Sequence, residues 1–375
     1  MKFSFSAEQD EFRANLRRLL TERVPTKEVR RLMATAAGWE REGWRQIDGA
    51  LGLSAIAIPE AYGGYGFGFA ELCIVLEEMG RALVPAPYLA TALAARAILH
   101  GGSEADRALL LPGIAAGETI ATLASAEDAG RWEGAATTVI ATPEGDGCRL
   151  DGHKSFVIDG ATADLILVLA RAPGTVGEEG LSLFAVEAGV AGLDRQALAV
   201  MDPTRKLARL TFDGVAARPV GAAGKAAGPY RRTMMEAAVA LTNEMVGGAE
   251  RLREDALAYA MMRMQFGRAI ASFQSMKHKQ ADMLLEVALA KSAAYYAAAA
   301  IDDGDADALA VASLAKAGAA DAYVQTAIHA IQIHGGIGFT WDNDTHLWFK
   351  RAKSSEVLFG DGQHHREIMM RNWAA

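Results

Sequence analysis

With 375 residues, the chain can bury one large core or divide into two or three domains, and it is long enough to hold a cofactor. Hydrophobic residues make up 51% and charged residues 22%, with alanine abundant, a composition that suits a helix-rich soluble protein. The formal charge of −8 argues against non-specific binding to nucleic acid or to an anionic membrane, and no basic arm offsets it.

Cys73 and Cys148 lie far apart without CxxC spacing, so neither a disulfide framework nor a zinc site is expected, and a reducing compartment is the default. The opening MKFSFSAEQDEF turns acidic and amphipathic at once, and no uninterrupted apolar run reaches ~18 residues. The expected location is cytoplasmic.

Ser6 followed by Gln9 reads as a capping box, and Phe12, Leu16, Leu19 and Leu20 give the helix after it an apolar stripe. Trp44, Leu51 and Leu53 continue the helical signal until Pro59 and the run Tyr62-Gly63-Gly64-Tyr65-Gly66 force a loop. Helix is predicted again from about Phe69 to Leu83, ending before Pro85 and Pro87, and from about Thr91 to His100.

Between Gly117 and Pro219 the pattern changes to short β-type runs at Thr119–Leu123, Thr137–Ala141, Ser155–Ile158, Leu165–Ala170, Leu181–Val186 and Leu207–Phe212, separated by Gly, Asp and Pro. An all-β domain is expected there, bounded near Leu111-Pro112-Gly113 and in the small-residue segment 221–228. From Tyr230 the helical period returns over about Arg231–Met264, Ser272–Asp302 and Asp305–Ile333. Gly335 and Gly336 end the last of these. A further helix over about Asn343–Leu358 carries His346, Lys350, Arg351 and Lys353 and stops at Gly360-Asp361-Gly362.

Long helices joined by short turns point to a C-terminal four-helix bundle. The division is thus 1–114, an N-terminal helical domain; 115–222, a middle β domain; and 223–375, the bundle: an α+β multidomain chain. His364 and His365 read as surface or interface residues. The acids Asp302, Asp303 and Asp305 lack EF-hand spacing, so no metal site is expected.

Several separated motifs occur in one order: Gly52-Leu53, Pro59-Glu60 with Tyr62-Gly63-Gly64, Glu77-Glu78-Met79-Gly80-Arg81, then Tyr259, Arg263, Phe266-Gly267-Arg268, Phe273-Gln274, and Gln332-x-x-Gly335-Gly336-x-Gly338-Phe339. In these the chain resembles the acyl-CoA dehydrogenase family from end to end. The resemblance implies a helical bundle, a β-barrel-like domain and a second helical bundle. It also implies a FAD flavoprotein that takes a proton from the α-carbon of an acyl-CoA thioester while the flavin takes a hydride from the β-carbon, the electrons leaving to an electron-transferring flavoprotein.

In this family FAD lies across a subunit interface, so a homo- or hetero-tetramer with a related subunit is implied. By similarity Arg263 faces the pyrophosphate, Phe266 and Gln274 serve the adenosine portion, and Gln332, Gly335 and Gly336 approach the diphosphate, all toward a neighbouring subunit's flavin. The other half departs from the pattern. Where the family has Thr-Glu-Pro-Gly-x-Gly-Ser beside the flavin ring, this chain has Ala126-Glu127-Asp128-Ala129-Gly130-Arg131-Trp132. Trp-Ile-Thr is replaced by Phe156-Val157-Ile158, in which the Phe156 ring survives as a platform without the hydroxyl donor.

Matching the C-terminal segment without gaps puts Phe359 where the family's usual Tyr-Glu-Gly has its catalytic glutamate, and a phenyl ring accepts no proton. The family's alternative position, about seven turns before Arg-x-x-Phe-Gly, falls on Ala237 beside Glu236. Asp361 and Glu236 are the candidate bases, with Glu356 and Glu244 as weaker ones, Glu244 read as a surface acid. Some bacterial members are assemblies of two different subunits, one of which has lost the base and flavin contacts; this chain looks like that kind. A homo-oligomer using Asp361 or Glu236, and a non-catalytic acyl-CoA-binding scaffold, stay open beside it.

Overall fold

A computed structural model describes residues 5–145 and 147–373. Helix α1 (Ala7–Arg23) starts where Ser6 and Gln9 exchange side-chain and backbone hydrogen bonds, the expected capping box, and it buries Leu16 and Leu20. Helices α2 (Thr26–Met33), α3 (Arg41–Leu51), α4 (Phe69–Ala82) and α5 (Tyr88–Gly101) follow. Helix α6 (Glu104–Ala115) runs through Leu111-Pro112-Gly113, the stretch expected to be a domain boundary. Its own capping box, Ser103 with Asp106, starts it. Pro112 lies in the last turn, where its missing N–H costs one helical bond and does not interrupt what precedes it.

The strands are β1 (Ala121–Ala124), β2 (Ile140–Glu144), β3 (Gly147–Ile158), β4 (Leu165–Arg171), β5 (Leu181–Glu187), β6 (Leu193–Ala197) and β7 (Leu207–Val220). Their pairing runs β4-β2-β3-β7-β5 and returns to β4, so the sheet closes on itself as the barrel-like form requires. Strand β1 adds to β4 in parallel and β6 adds to β7. Closure gives β4 neighbours on both sides, and all seven of its residues are buried. The barrel interior holds Val139, Leu150, Val157, Ile166, Val168 and Phe212. Strand β6, Leu-Asp-Arg-Gln-Ala and largely exposed, has no apolar alternation by which to be predicted.

Helix α7 (Ala227–Met262) leads to a hairpin of β8 (Met264–Gln265) and β9 (Arg268–Ala269), then α8 (Gln274–Asp302), α9 (Ala308–His334), α10 (Thr345–Val357) and α11 (Gly362–Trp373). Helix α11 continues the chain beyond the glycine turn at Gly360. Helix α8 contains an 18-residue window of mean hydropathy 1.3, of which 39% is buried. Met283, Val287, Ala290 and Ala294 form its buried face, and Leu284, Leu285 and Leu289 stay exposed.

Contacts divide the chain into two units that interleave in sequence. One comprises Met1–Arg30, Phe69–Val84 and Ala238–Ala375; the other comprises Arg31–Gly68 and Pro85–Ala237. In the first, α4 and α7 meet at backbone distance. A Cβ on Gly80 would lie 1.9 Å from the Glu244 carbonyl oxygen, and one on Gly247 would lie 1.9 Å from that of Glu77.

Candidate functional site

Helix α7 ends at Met262, and the Arg263 that follows is exposed and carries no ion pair among the described residues. The hairpin turn places Phe266 at φ +52° and Gly267 at φ +75°, two consecutive left-handed residues of the kind a two-residue hairpin needs. Phe266 is 91% exposed at the tip, edge-on to Phe273, over which the Arg268 guanidinium lies at 4.1 Å. Gln274 is the first residue of α8 and is exposed.

Gln332 is exposed on α9, and Gly335 ends that helix at φ +68°, ψ −147°, a region open essentially to glycine alone. A Cβ at Gly335 or at Gly336 would meet open space, so the backbone there is open to approach. Tyr259 stacks on His334 at 4.3 Å, joining the C-terminal ends of α7 and α9. Those ends carry Arg263 and the glycine turn, so the helices themselves bring together an unpaired guanidinium, an open backbone and an exposed aromatic ring. Such a set can hold a pyrophosphate and a flat base.

In the other unit, the loop of residues 126–132 is tied down by its two acids. Glu127 accepts from Thr138 N at 2.7 Å, from the Thr138 hydroxyl and from Val139 N, and it pairs with Lys154 Nζ at 2.9 Å. Lys154 is fully buried, and burial pulls its ammonium down to about 8 against the pull of Glu127. Asp128 accepts from the Ser155 hydroxyl and pairs with Arg209 at 3.1 Å and His153 at 3.0 Å. Arg209 and Ser155 hold the Asp128 carboxyl at about 2. Phe156, at φ +58°, occupies an irregularity in the pairing of β3 with β7, and its ring lies 3.9 Å from where a Gly130 Cβ would be. The loop's carboxylates are spent on the protein itself. It offers a flavin ring no hydroxyl donor and does not fit one as the family pattern would.

All four acids considered as bases have assigned work. Glu236 has no exposed surface; Arg96 grips it with bonds of 2.7 and 2.8 Å, and His100 Nε2 lies 2.8 Å away. Burial pushes its carboxyl up, but Arg96 and His100 hold it at about 2 and keep it ionised. Glu244, expected on the surface, is buried and paired with Arg351 at 2.5 Å, because α10 packs its basic residue inward. Glu356 pairs with Lys353. Asp361 is exposed and accepts from His364 N at 2.8 Å, capping α11.

The turn before Asp361 is held by a lysine that the sequence patterns did not single out. Lys316, fully buried on α9, donates to the carbonyl oxygens of Ser355, Glu356 and Gly360 at 3.1, 3.2 and 3.2 Å. His365 is buried, not on the surface as expected, and its Nε2 lies 3.1 Å from the Phe359 carbonyl oxygen. Burial, then Lys316, depresses the imidazole to about 3, so it is neutral and donates that bond. Phe359 is held at φ +62° and is buried. A lysine inside an alanine-rich run, Ala315-Lys316-Ala317, was the one available signal for the clamp.

Family models described as acyl-CoA dehydrogenase N-terminal, middle and C-terminal domains match residues 6–118, 121–215 and 230–374. The chain belongs to the acyl-CoA dehydrogenase family, a family of oxidoreductases. It is 31% identical over 364 residues to acyl-CoA dehydrogenase IpdE2 of Mycobacterium tuberculosis, covering 97% of this chain and 96% of that one. Among solved structures it resembles a Tcur3481-Tcur3483 steroid ACAD variant, at TM-score 0.87 and 30% identity over 98% of both chains. It also resembles the ChsE4-ChsE5 complex from Mycobacterium tuberculosis, at TM-score 0.89 and 28% identity over 100% of this chain and 99% of that one.

Proposed function

We propose that this chain is the subunit of a heteromeric acyl-CoA dehydrogenase that completes a FAD site whose flavin ring is held by a related subunit. The observation that carries the reading is an asymmetry. The residues suited to a nucleotide end stand exposed and unpaired, whereas every candidate base is a cap or half of an ion pair. FAD, when bound, supplies the hydride acceptor for α,β-desaturation of the thioester.

This chain's residues then do three things. Arg263 forks onto the pyrophosphate, Gly335 and Gly336 bring backbone N–H groups to it, and Phe266 with Gln274 covers the adenosine. The carboxylate that takes the α-proton comes from the related subunit, and electrons pass on to an electron-transferring flavoprotein. Assembly is supported by the exposed leucines of α8, which a second subunit would cover. Thioesters of steroid side chains are the first substrate class to try, since a solved relative is titled a steroid ACAD.

Asp361 keeps the homomeric reading alive, because it is exposed and makes a single capping bond. The experiment is to purify the chain alone and with the product of a neighbouring gene, and to assay both with a panel of acyl-CoA thioesters. A colourless, inactive chain that becomes yellow and active with its partner is the expected result. Activity from the chain alone overturns the heteromeric reading, and inactivity in both states favours a scaffold.

A further inference from the structure

The chain carries a formal charge of −8, yet two stretches that meet in the C-terminal bundle hold no carboxylate side chain. Residues 256–281, from the end of α7 through the hairpin into α8, contain Arg263, Arg268, Lys277 and Lys279 and neither Asp nor Glu. Residues 322–341, from α9 through its glycine turn, contain neither as well. The stacking of Tyr259 on His334 joins the two stretches. Positive charge gathered without a counter-charge favours an anionic occupant.

Within this region one lysine differs from the others. Lys206 donates to the Met33 carbonyl oxygen, Lys291 and Lys353 pair with glutamates, and Lys350 lies over the Trp341 ring. The buried Lys154 and Lys316 have the partners described above. Lys279 is half-buried too, but it makes no hydrogen bond, ion pair or ring contact among the described residues, and Asp282 one turn on does not pair with it. Holding an ammonium partly out of water without a partner costs free energy.

Helix register places this lysine. Helices α8 and α9 are joined through residues 303–307 and run antiparallel. Across them Glu286 faces His329: burial pushes the Glu286 carboxyl up, and His329 opposes that from α9. Seven residues make two turns, about 10 Å along the axis, and return to the same side of a helix. Two turns from Glu286 toward the start of α8 is Lys279, and two turns from His329 toward the end of α9 is the glycine turn at Gly336. Lys279 thus stands level with Gly335 and Gly336, on the side of α8 that bears Glu286.

We infer that Lys279 is a second pyrophosphate-binding cation, its ammonium on one phosphate of the flavin nucleotide while Arg263 forks onto the other. The assignment rests on the nucleotide end lying where proposed above. Two cations match the two charges of a pyrophosphate, so the pair favours a dinucleotide over a single phosphate ester.

The test is to titrate FAD into the flavin-free form of the assembled enzyme, or of the chain alone if the chain alone proves yellow, and to follow flavin fluorescence. Lys279→Met should weaken FAD about tenfold, and Lys279→Arg should stay within about twofold of wild type. Lys277→Met, at an exposed position two residues away, should bind as wild type does. Without FAD, Lys279→Met should unfold at a Tm no lower than wild type, since the lysine makes no bond in the free chain. An about tenfold loss in Arg263→Ala with none in Lys279→Met would overturn the inference and leave the proposed nucleotide site standing; no loss in either variant removes both. A lowered Tm in Lys279→Met, with no rescue by Lys279→Arg, would make the residue structural and overturn the inference as well.

Discussion

Glu236 is buried against Arg96 and His100, so its removal and the removal of its partner have different consequences. Arg96→Ala strands a carboxylate inside the protein and should cost about 3–5 kcal/mol in denaturant unfolding. The pH dependence has a definite sign. The folded carboxyl is held at about 2 against an ordinary value of 4.5, so its stabilisation is complete above pH 4.5 and is lost as pH falls toward 2. At ~1.4 kcal/mol for each tenfold change in proton affinity, the loss amounts to about 3 kcal/mol. It should be missing from the acid-unfolding profile of Glu236→Gln; an unchanged profile would mean that Glu236 is not what titrates. Asp361→Ala removes a helix cap and should lower stability by ~1 kcal/mol while leaving turnover of the assembled enzyme unaltered. A large fall in turnover with flavin retained would instead make Asp361 the base.

At the scale of elements, α4 and α7 have no room between them at Gly80 and Gly247. Gly80→Ala would drive a methyl into the Glu244 carbonyl, backbone against backbone, so the helices must part. A loss of about 3 kcal/mol or more, seen as a lowered Tm, is expected; a Tm equal to wild type would show that the crossing is looser. The end of α9 makes the opposite point. Gly335→Ala meets open space but must hold φ +68°, ψ −147°, so it should cost about 1–3 kcal/mol locally and lower the flavin content of the assembled enzyme.

Elements with strong local signals were legible in the sequence. The Ser6 box, the buried strand β4 and the glycine end of α9 each appeared where their residues placed them. Strand β6 was not legible, because an exposed polar strand is defined by its neighbour β7 and not by its own pattern. Helix α6 went unpredicted because Leu111-Pro112-Gly113 was read as a boundary, although a last turn tolerates Pro112. The partners of the acids were illegible for a related reason: Arg96 and Glu236 are 140 residues apart, and Arg351 and Glu244 are 107 apart, separations at which no local pattern operates.

Across the whole molecule the surface is asymmetric. The set around Arg263, Phe266 and Gly335, proposed to meet a nucleotide, is exposed, and the loop of residues 126–132 is closed on itself by Glu127, Asp128 and Lys154. The proposal assigns this chain half of a site and the related subunit the rest, and the exposed leucines of α8 are the surface that subunit would cover. The most direct measurement is the number of flavins per polypeptide, determined by releasing FAD with acid from purified protein and quantifying both. Essentially none is expected for this chain by itself and, in the assembled enzyme, as many flavins as there are partner chains. One FAD for every copy of this chain in the absence of any partner would contradict it.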